Sequence, residues 1–302
     1  KTSTIYHMKI AILSLVPGHN YGGILQSYAL KSVLEKMGHN VCVISHKRYM
    51  PPYFSFRKIP HYIVRILRKV LRGSKNPIFA EHYNANRYKT ILSNTTEFCK
   101  KYLNLKEINT FSDIHKDDFD AYVVGSDQVW RPIYFEGQHK TCVENAFLLF
   151  TRDWDVKRIA YAPSFGVDEW EYSPEQTQKC TELLSKFDVL SVREQSGITL
   201  CKEKLCREDT VLLCDPTMLL TKEYYEHLIT PDTAPSEGNL LVYCLDKSEE
   251  LNELVTRISK EKGLTPFSTN AKQGAEYTLE ELIMPSVESW IRGFQDAEFV
   301  IT

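Results

Sequence analysis

The 302-residue chain reads as an α/β protein built from parallel sheets in two parts. Three observations lead there. Short apolar runs alternate with amphipathic stretches of helical length as far as residue 228. TPDTAPSEGN at 230–239 then breaks the pattern with two prolines, a glycine and no large apolar side chain. Beyond it the alternation starts again at LLVYCL. Strands separated by helices imply a mostly parallel sheet covered on both faces.

The elements follow in order. KIAILSL at 9–15 is a first strand, 22–37 a helix and 41–45 a second strand. In the helix Leu25, Ala29, Leu30, Val33, Leu34 and Met37 recur at threes and fours as one buried stripe, and Gly38 stands where a helix ends on a left-handed residue. A basic, proline-marked stretch, RYMPPYFSFRKIP at 48–60, leads to IVRILRKVLR at 63–72, which is amphipathic and cationic. That pattern admits peripheral contact with a membrane surface. The plainer reading is a solvated basic face over a packed apolar one. A helix is expected over 79–103, strands at 121–125 and 157–162, and a helix over 174–186. Strand DVLSV, helix 194–204, strand TVLLCD and a short helix near 221–228 complete the first part. Past the break come LLVYCL, helix 248–262, LTPFS, helix 286–295 and EFVIT. The predicted domains are 8–229 and 240–302, with 230–239 as the linker. The second, at about sixty residues, is small for a doubly wound unit.

Bulk properties exclude several classes. Apolar residues make up 43% and charged residues 25%, which suits a soluble chain with real cores. A formal charge of −2 supplies no general pull on nucleic acid or anionic lipid. The longest apolar runs are of strand length, short of the ~20 residues a membrane helix needs. KTSTIYHMK at the N-terminus lacks the apolar core of a signal peptide. The eight cysteines include no CxxC pair and no histidine at zinc spacing, so they read as reduced, structural thiols of a cytoplasmic protein.

Four polar motifs end four of the strands: N-Y-G-G (20–23), G-S-D-Q-V-W (125–130), A-P-S-F-G (162–166) and V-R-E-Q-S-G (192–197). In a parallel sheet all four gather along one edge, where α/β proteins bind ligands. Gly22 and Gly23 are either a tight strand-to-helix turn or bare backbone that a ligand approaches at a helix N-terminus. Asp127 is either a cap for a short helix or a carboxylate for a sugar hydroxyl, with Trp130 as an apolar platform. Ser164 either contacts ligand or bonds its own loop. Arg193 either holds a phosphate or carboxylate or pairs with Glu194 or Asp188. Asp215-Pro216-Thr217 ends a strand rigidly and caps a turn. His19, His39 and His46 read as surface or turn residues.

As an ordered set, N-Y-G-G-x-L-Q-x-Y-A-L, V-V-G-S-D-Q-V-W, Y-A-P-S-F-G, S-V-R-E-x-S-G, C-D-P-T-M-L-L and S-W-I-R-G-F-Q-D-A-E-F-V-I-T resemble the polysaccharide pyruvyl transferase family over most of residues 8–302. The resemblance implies a GT-B-like chain of two Rossmann-like domains facing a cleft, acceptor side first and donor side second. It implies transfer of pyruvate from phosphoenolpyruvate to sugar hydroxyls as a ketal, in cell-surface polysaccharide or glycan biosynthesis, with no metal or other cofactor. In that family V-I-T runs on into D-S-F-H-G, whose histidine is the expected acid; this sequence stops before it, so the second domain is expected to be incomplete here. Asp127 and Arg193 are the catalytic candidates. Asn20, Tyr21, Gly22, Gly23, Ser126, Gln128, Trp130 and Ser164 are the substrate-binding ones. A GT-B glycosyltransferase using a nucleotide sugar and a non-catalytic sugar-binding relative are the alternatives.

Overall fold

The strands do lie parallel, and their order explains where the loops meet. The computed structural model describes residues 7–18, 20–47, 50–73, 77–244, 246, 248–272, 274 and 277–302, so His19, Arg48, Tyr49 and residues 1–6 of the N-terminal stretch lie outside the described residues. In chain order the elements are β1 (Lys9–Leu13), α1 (Tyr21–Lys36), β2 (Asn40–His46), α2 (Ile59–Arg72), α3 (Ala80–Ile91), α4 (Ser93–Tyr102), β3 (Leu105–Ile108), β4 (Ala121–Val124), α5 (Pro132–His139) and β5 (Lys157–Ala160). They continue with α6 (Pro174–Leu184), β6 (Val189–Val192), α7 (Gln195–Leu205), β7 (Val211–Leu212), α8 (Lys222–Glu226), β8 (Leu240–Val242), α9 (Glu249–Lys262), β9 (Pro266–Phe267), α10 (Val287–Asp296) and β10 (Phe299–Ile301). The class is α/β as predicted, with two parallel-sheet units.

One sheet has seven strands in the order β3-β2-β1-β4-β5-β6-β7, every pair parallel. From β1 the chain winds outward through β2 and β3, then returns to β4 on the other side of β1. The connections after β1 and β4 therefore diverge, and such a reversal point leaves a crevice at the carboxyl ends of the two strands. β1 and β4 are buried almost throughout, with Ile12, Leu13 and Val124 at 0% exposure, as strands covered on both faces must be.

The α1 stripe holds for Leu25, Ala29 and Leu30, but Val33 and Leu34 are half-buried and Met37 is exposed. The helix has run past the edge of the core by its last turn. Gly38, at φ 96°, ends it in the left-handed region as expected. The expected helix 79–103 is two helices, interrupted at Leu92. Cys244, expected in a strand, follows β8.

By internal packing the chain divides into residues 1–47 with 96–228, and 48–95 with 229–302. The sequence-based bounds put 48–95 with the first domain. Hydrogen bonds explain its grouping with the second: Met284 N donates to the Ile91 carbonyl at 2.9 Å, and Asn94 Nδ2 to the Met284 carbonyl at 2.8 Å. The second unit's own sheet is β10-β8-β9, also parallel. All eight cysteines are free thiols. No helix among the described residues is long and apolar enough to cross a membrane.

Two glycines make contrasting tests of this packing. A Cβ on Gly238 would lie 2.3 Å from the Thr265 carbonyl oxygen, which accepts from both Asn239 N and Leu240 N. Gly238→Ala is expected to cost about 1–3 kcal/mol in urea unfolding. Gly137, exposed within α5 and facing open space, is the control; Gly137→Ala is expected to stabilise by roughly 0.5–1 kcal/mol.

Candidate functional site

All four predicted motifs do meet at the carboxyl edge of the seven-stranded sheet, three of them linked by main-chain bonds and the fourth, N-Y-G-G, brought against Asp127 at Gly23. Ser164 N donates to the Asp127 carbonyl (3.1 Å), Trp130 N to the Ser164 carbonyl (3.2 Å), and Arg193 N to the Pro163 carbonyl (3.3 Å). Phe165 N donates to Glu194 Oε1 at 2.9 Å. Adjacent strands β4, β5 and β6 deliver these loops side by side, so each loop braces the next.

At the reversal point Asn20 caps α1, its Oδ1 accepting from Gly23 N at 3.3 Å. Gly23 has a more particular reason. A Cβ there would lie 2.7 Å from Asp127 Oδ2, so only a glycine lets that carboxylate come down onto the first turn of α1. The helix dipole favours an anion at that place. The expectation that Gly23 is bare for an outside ligand is thus corrected: the chain's own Asp127 uses the space. Asp127 Oδ1 also accepts from Gln128 N at 2.8 Å, which forms a turn rather than the expected short helix. Asn20, Gly23, Asp127 and Gln138 together with the 15–18 loop line a hollow of about 30 Å³. It has room for one hydroxyl or water, with a larger ligand resting outside.

Beneath the rim lies a buried polar chain. Gln26 Nε2 is 2.7 Å from Ser14 Oγ, 2.8 Å from Ser27 Oγ and 3.0 Å from the Gly23 carbonyl, while its Oε1 accepts from Ser126 N at 3.2 Å. Ser126 Oγ donates to Asp215 Oδ2 at 3.0 Å, and Arg193 Nη1 reaches the same oxygen at 3.3 Å. Asp215 Oδ1 accepts from Thr217 N and Oγ1, the turn cap expected of it.

Several predicted contacts need correction. Trp130 is fully buried, stacked on Phe147 with ring centres 4.9 Å apart, and its Nε1 donates to the Ala146 carbonyl; it is core and offers no platform. Tyr21 is also buried, so its ring presents no face to a sugar. Ser126 and Ser164 are buried and internally bonded, Ser164 Oγ accepting from Gly166 N. Asn20 and Gly22 are exposed, while Gln128 and Asp127 are half-exposed. Gln128 Oε1 lies against Gly166 with no hydrogen-bond partner among the described residues. Arg193 is half-exposed and paired with Asp215 and, at 3.8 Å, Glu194; Asp188 bonds Lys157 instead.

Sequence reasoning missed Gln26 and Gln138 and undervalued Asp215. Gln26 had a signal, as a polar residue one helical turn below Gly22–Gly23 on the face toward the sheet. His46 is a further correction: it packs edge-on against buried His139, ring centres 4.8 Å apart, instead of lying at the surface. His139, on α5, donates from Nε2 to the Ser14 carbonyl at 2.9 Å and so supports the loop after β1.

The rim holds three carboxylates, Asp127, Glu194 and Asp215, against one guanidinium, Arg193. Such an edge suits hydroxyl groups, which donate to carboxylates, better than it suits a phosphate. A hollow of about 240 Å³ at the amino edge, lined by Lys9, Asn40, Cys42 and Lys106, is larger. Its Lys106 already pairs with Asp118 at 3.4 Å, and strand carboxyl ends are where α/β sheets converge ligand groups. No metal-binding cluster of three or more His, Cys, Asp or Glu residues occurs among the described residues.

The family model for polysaccharide pyruvyl transferase matches residues 20–302. A comparison with curated proteins returned no match. Among solved structures, Arabidopsis thaliana UGT89C1 complexed with UDP is 9% identical, with 98% of this chain and 79% of that one covered and a TM-score of 0.33. LpCGTa in complex with UDP is 10% identical, with coverage of 98% and 71% and a TM-score of 0.34.

The histidine pair gives the site a pH signature. Burial, and then neighbouring His46, push the His139 pKa down to about 3, and burial lowers that of His46. The unfolded chain binds these protons near pH 6.5 while the native state does not, so stability falls as pH drops from about 6.5 toward 3. The expected slope is up to about 1.4 kcal/mol per pH unit for each histidine. Urea midpoints between pH 7 and about 4.5 check this; His139→Gln is expected to flatten the slope relative to the parent.

Proposed function

We propose that this chain, which belongs to the polysaccharide pyruvyl transferase family, moves a pyruvyl group from phosphoenolpyruvate onto two hydroxyls of a carbohydrate acceptor, in the cytoplasm, during cell-surface polysaccharide or glycan assembly. The family supplies the reaction class. The observation that carries the acceptor assignment is the Asp127 carboxylate held over α1 beside a hollow of hydroxyl size.

The chemistry divides into three steps. Protonation of C3 of phosphoenolpyruvate makes C2 electrophilic; one acceptor hydroxyl adds there, and a second replaces phosphate to close the ketal. Of the two hydroxyl protons, one balances the proton taken up by the new methyl group and the other leaves with phosphate. Asp127 orients the attacking hydroxyl and accepts its proton as the C–O bond forms. Asn20, Gly22 and Gln128, all at the rim, offer the acceptor hydrogen-bonding groups. Arg193 faces the donor's carboxylate or phosphate, and because Asp215 and Glu194 already draw on its charge, further positive partners come from outside this rim.

The test is full-length enzyme with phosphoenolpyruvate and a panel of lipid-linked and nucleotide sugars, reading product mass and phosphate release. The expected product carries one pyruvyl ketal. Turnover of a nucleotide sugar without phosphoenolpyruvate consumption would overturn the reading. Asp127→Asn is expected to lower kcat by about 10²- to 10⁴-fold with acceptor KM little changed. Arg193→Ala is expected to raise the donor KM while circular dichroism stays that of the parent. An unchanged donor KM would remove Arg193 from the site.

A further inference from the structure

Helix α2 is turned the opposite way from its plainer sequence reading. Its apolar side is outward: Ile63 is 52% exposed, Leu67 51%, Val70 76% and Leu71 77%, and Phe56 just before it 80%. Its inward contacts are Tyr62, which is buried, and Arg65, whose Nη1 and Nη2 both bond Glu81 while Nη1 also reaches the Ile78 carbonyl. At 100° per residue, Ile59, Ile63, Val64, Ile66, Leu67, Val70 and Leu71 form one continuous apolar arc roughly opposite Arg65. His61, Arg68 and Arg72 form the adjoining arc, with Lys69 on its far side.

Charge is segregated as sharply as hydropathy. Residues 54–72 contain six lysines and arginines and no acid, in a chain whose formal charge is −2. Glu81 pairs with both Lys58 and Arg65 and offsets one of their two charges, while Arg68, Lys69 and Arg72 make no ion pair among the described residues. The helix has 14 residues, about 21 Å, too short to span a bilayer but able to lie along one.

We propose that α2, with Phe54 and Phe56 before it, is an interfacial anchor that seats the protein on an anionic lipid surface. The apolar arc enters the acyl boundary and Arg68, Lys69 and Arg72 reach the headgroups. Charge complementarity selects this occupant. A second copy would set like-charged arcs against each other, whereas an anionic leaflet supplies the missing counter-charge together with an apolar medium. The anchor is independent of the pyruvyl-transfer reading.

Co-sedimentation with phosphatidylcholine vesicles, with and without phosphatidylglycerol, tests it. The full chain is expected to partition onto the anionic vesicles and to be released by salt. Val70→Ser with Leu71→Ser is expected to weaken partition by at least about tenfold, and Arg68→Glu with Arg72→Glu by a similar factor. All four positions are exposed, so thermal unfolding of both variants is expected to match the parent. Failure of the parent to bind anionic vesicles, variants that bind like the parent, or a dimer in solution that the serine variant dissolves without any vesicle binding would each overturn the proposal.

Discussion

The buried amide of Gln26 is the piece of chemistry on which the site rests. A parallel sheet that reverses its winding between β1 and β4 exposes the ends of both strands to the same crevice. Polar groups there that are closed off from water must find partners inside the protein. Gln26 answers for both strands at once, giving hydrogen bonds toward Ser14 after β1 and accepting one from Ser126 N after β4. Ser126 carries the connection on to Asp215 after β7, and Asp215 to Arg193 after β6. Four strand ends are therefore positioned by one continuous set of hydrogen bonds. Removing the Gln26 amide would strand the buried Ser14 and Ser126 groups, where an unpaired polar group costs about 1–3 kcal/mol.

Above that floor the functional groups have little freedom of their own. Asp127 accepts from Gln128 N on one oxygen, and the other lies in the space that a Cβ at Gly23 would need. His139 props the β1 loop from below through the Ser14 carbonyl, and it does this as a neutral ring, since burial disfavours its charged form. The same burial that makes His139 a firm support leaves it unable to act as a proton donor near neutral pH. Burial disfavours the charged form of His46 in the same direction.

Much of this was legible in the sequence, and the parts that were not share a cause. The β-α-β alternation, Gly38 as helix terminator and the convergence of four strand-end motifs all follow from periodicity and from the one-sided geometry of parallel sheets. Local chemistry was read correctly where one residue governs it, as with the Asp215 turn cap. What misled was residue type taken as exposure. Trp130 and Tyr21 have rings that sugars stack on, but the same rings fill cores, and only three-dimensional packing against Phe147 and its neighbours decides between the two. Gly23 misled similarly: its missing side chain signalled close approach, and the approaching group turned out to be Asp127 from residues a hundred positions away. The grouping of 48–95 with the second unit rests on Ile91 and Asn94 meeting Met284, a contact with no sequence signature.

A formal charge of −2 conceals two local fields of opposite sign, and that separation has a physical logic. The rim at the reversal point gathers three carboxylates around one arginine, while residues 54–72 hold six cations and no acid. Fields of this kind act within about 8–10 Å in physiological salt, so each is felt by what touches it and barely by the molecule as a whole. Carboxylates at such a rim accept hydrogen bonds from hydroxyl groups, and those bonds are directional. The apolar arc and cations of α2 set no such directional requirement. Averaged net charge argues against a general attraction to anions, and it says nothing about either local field.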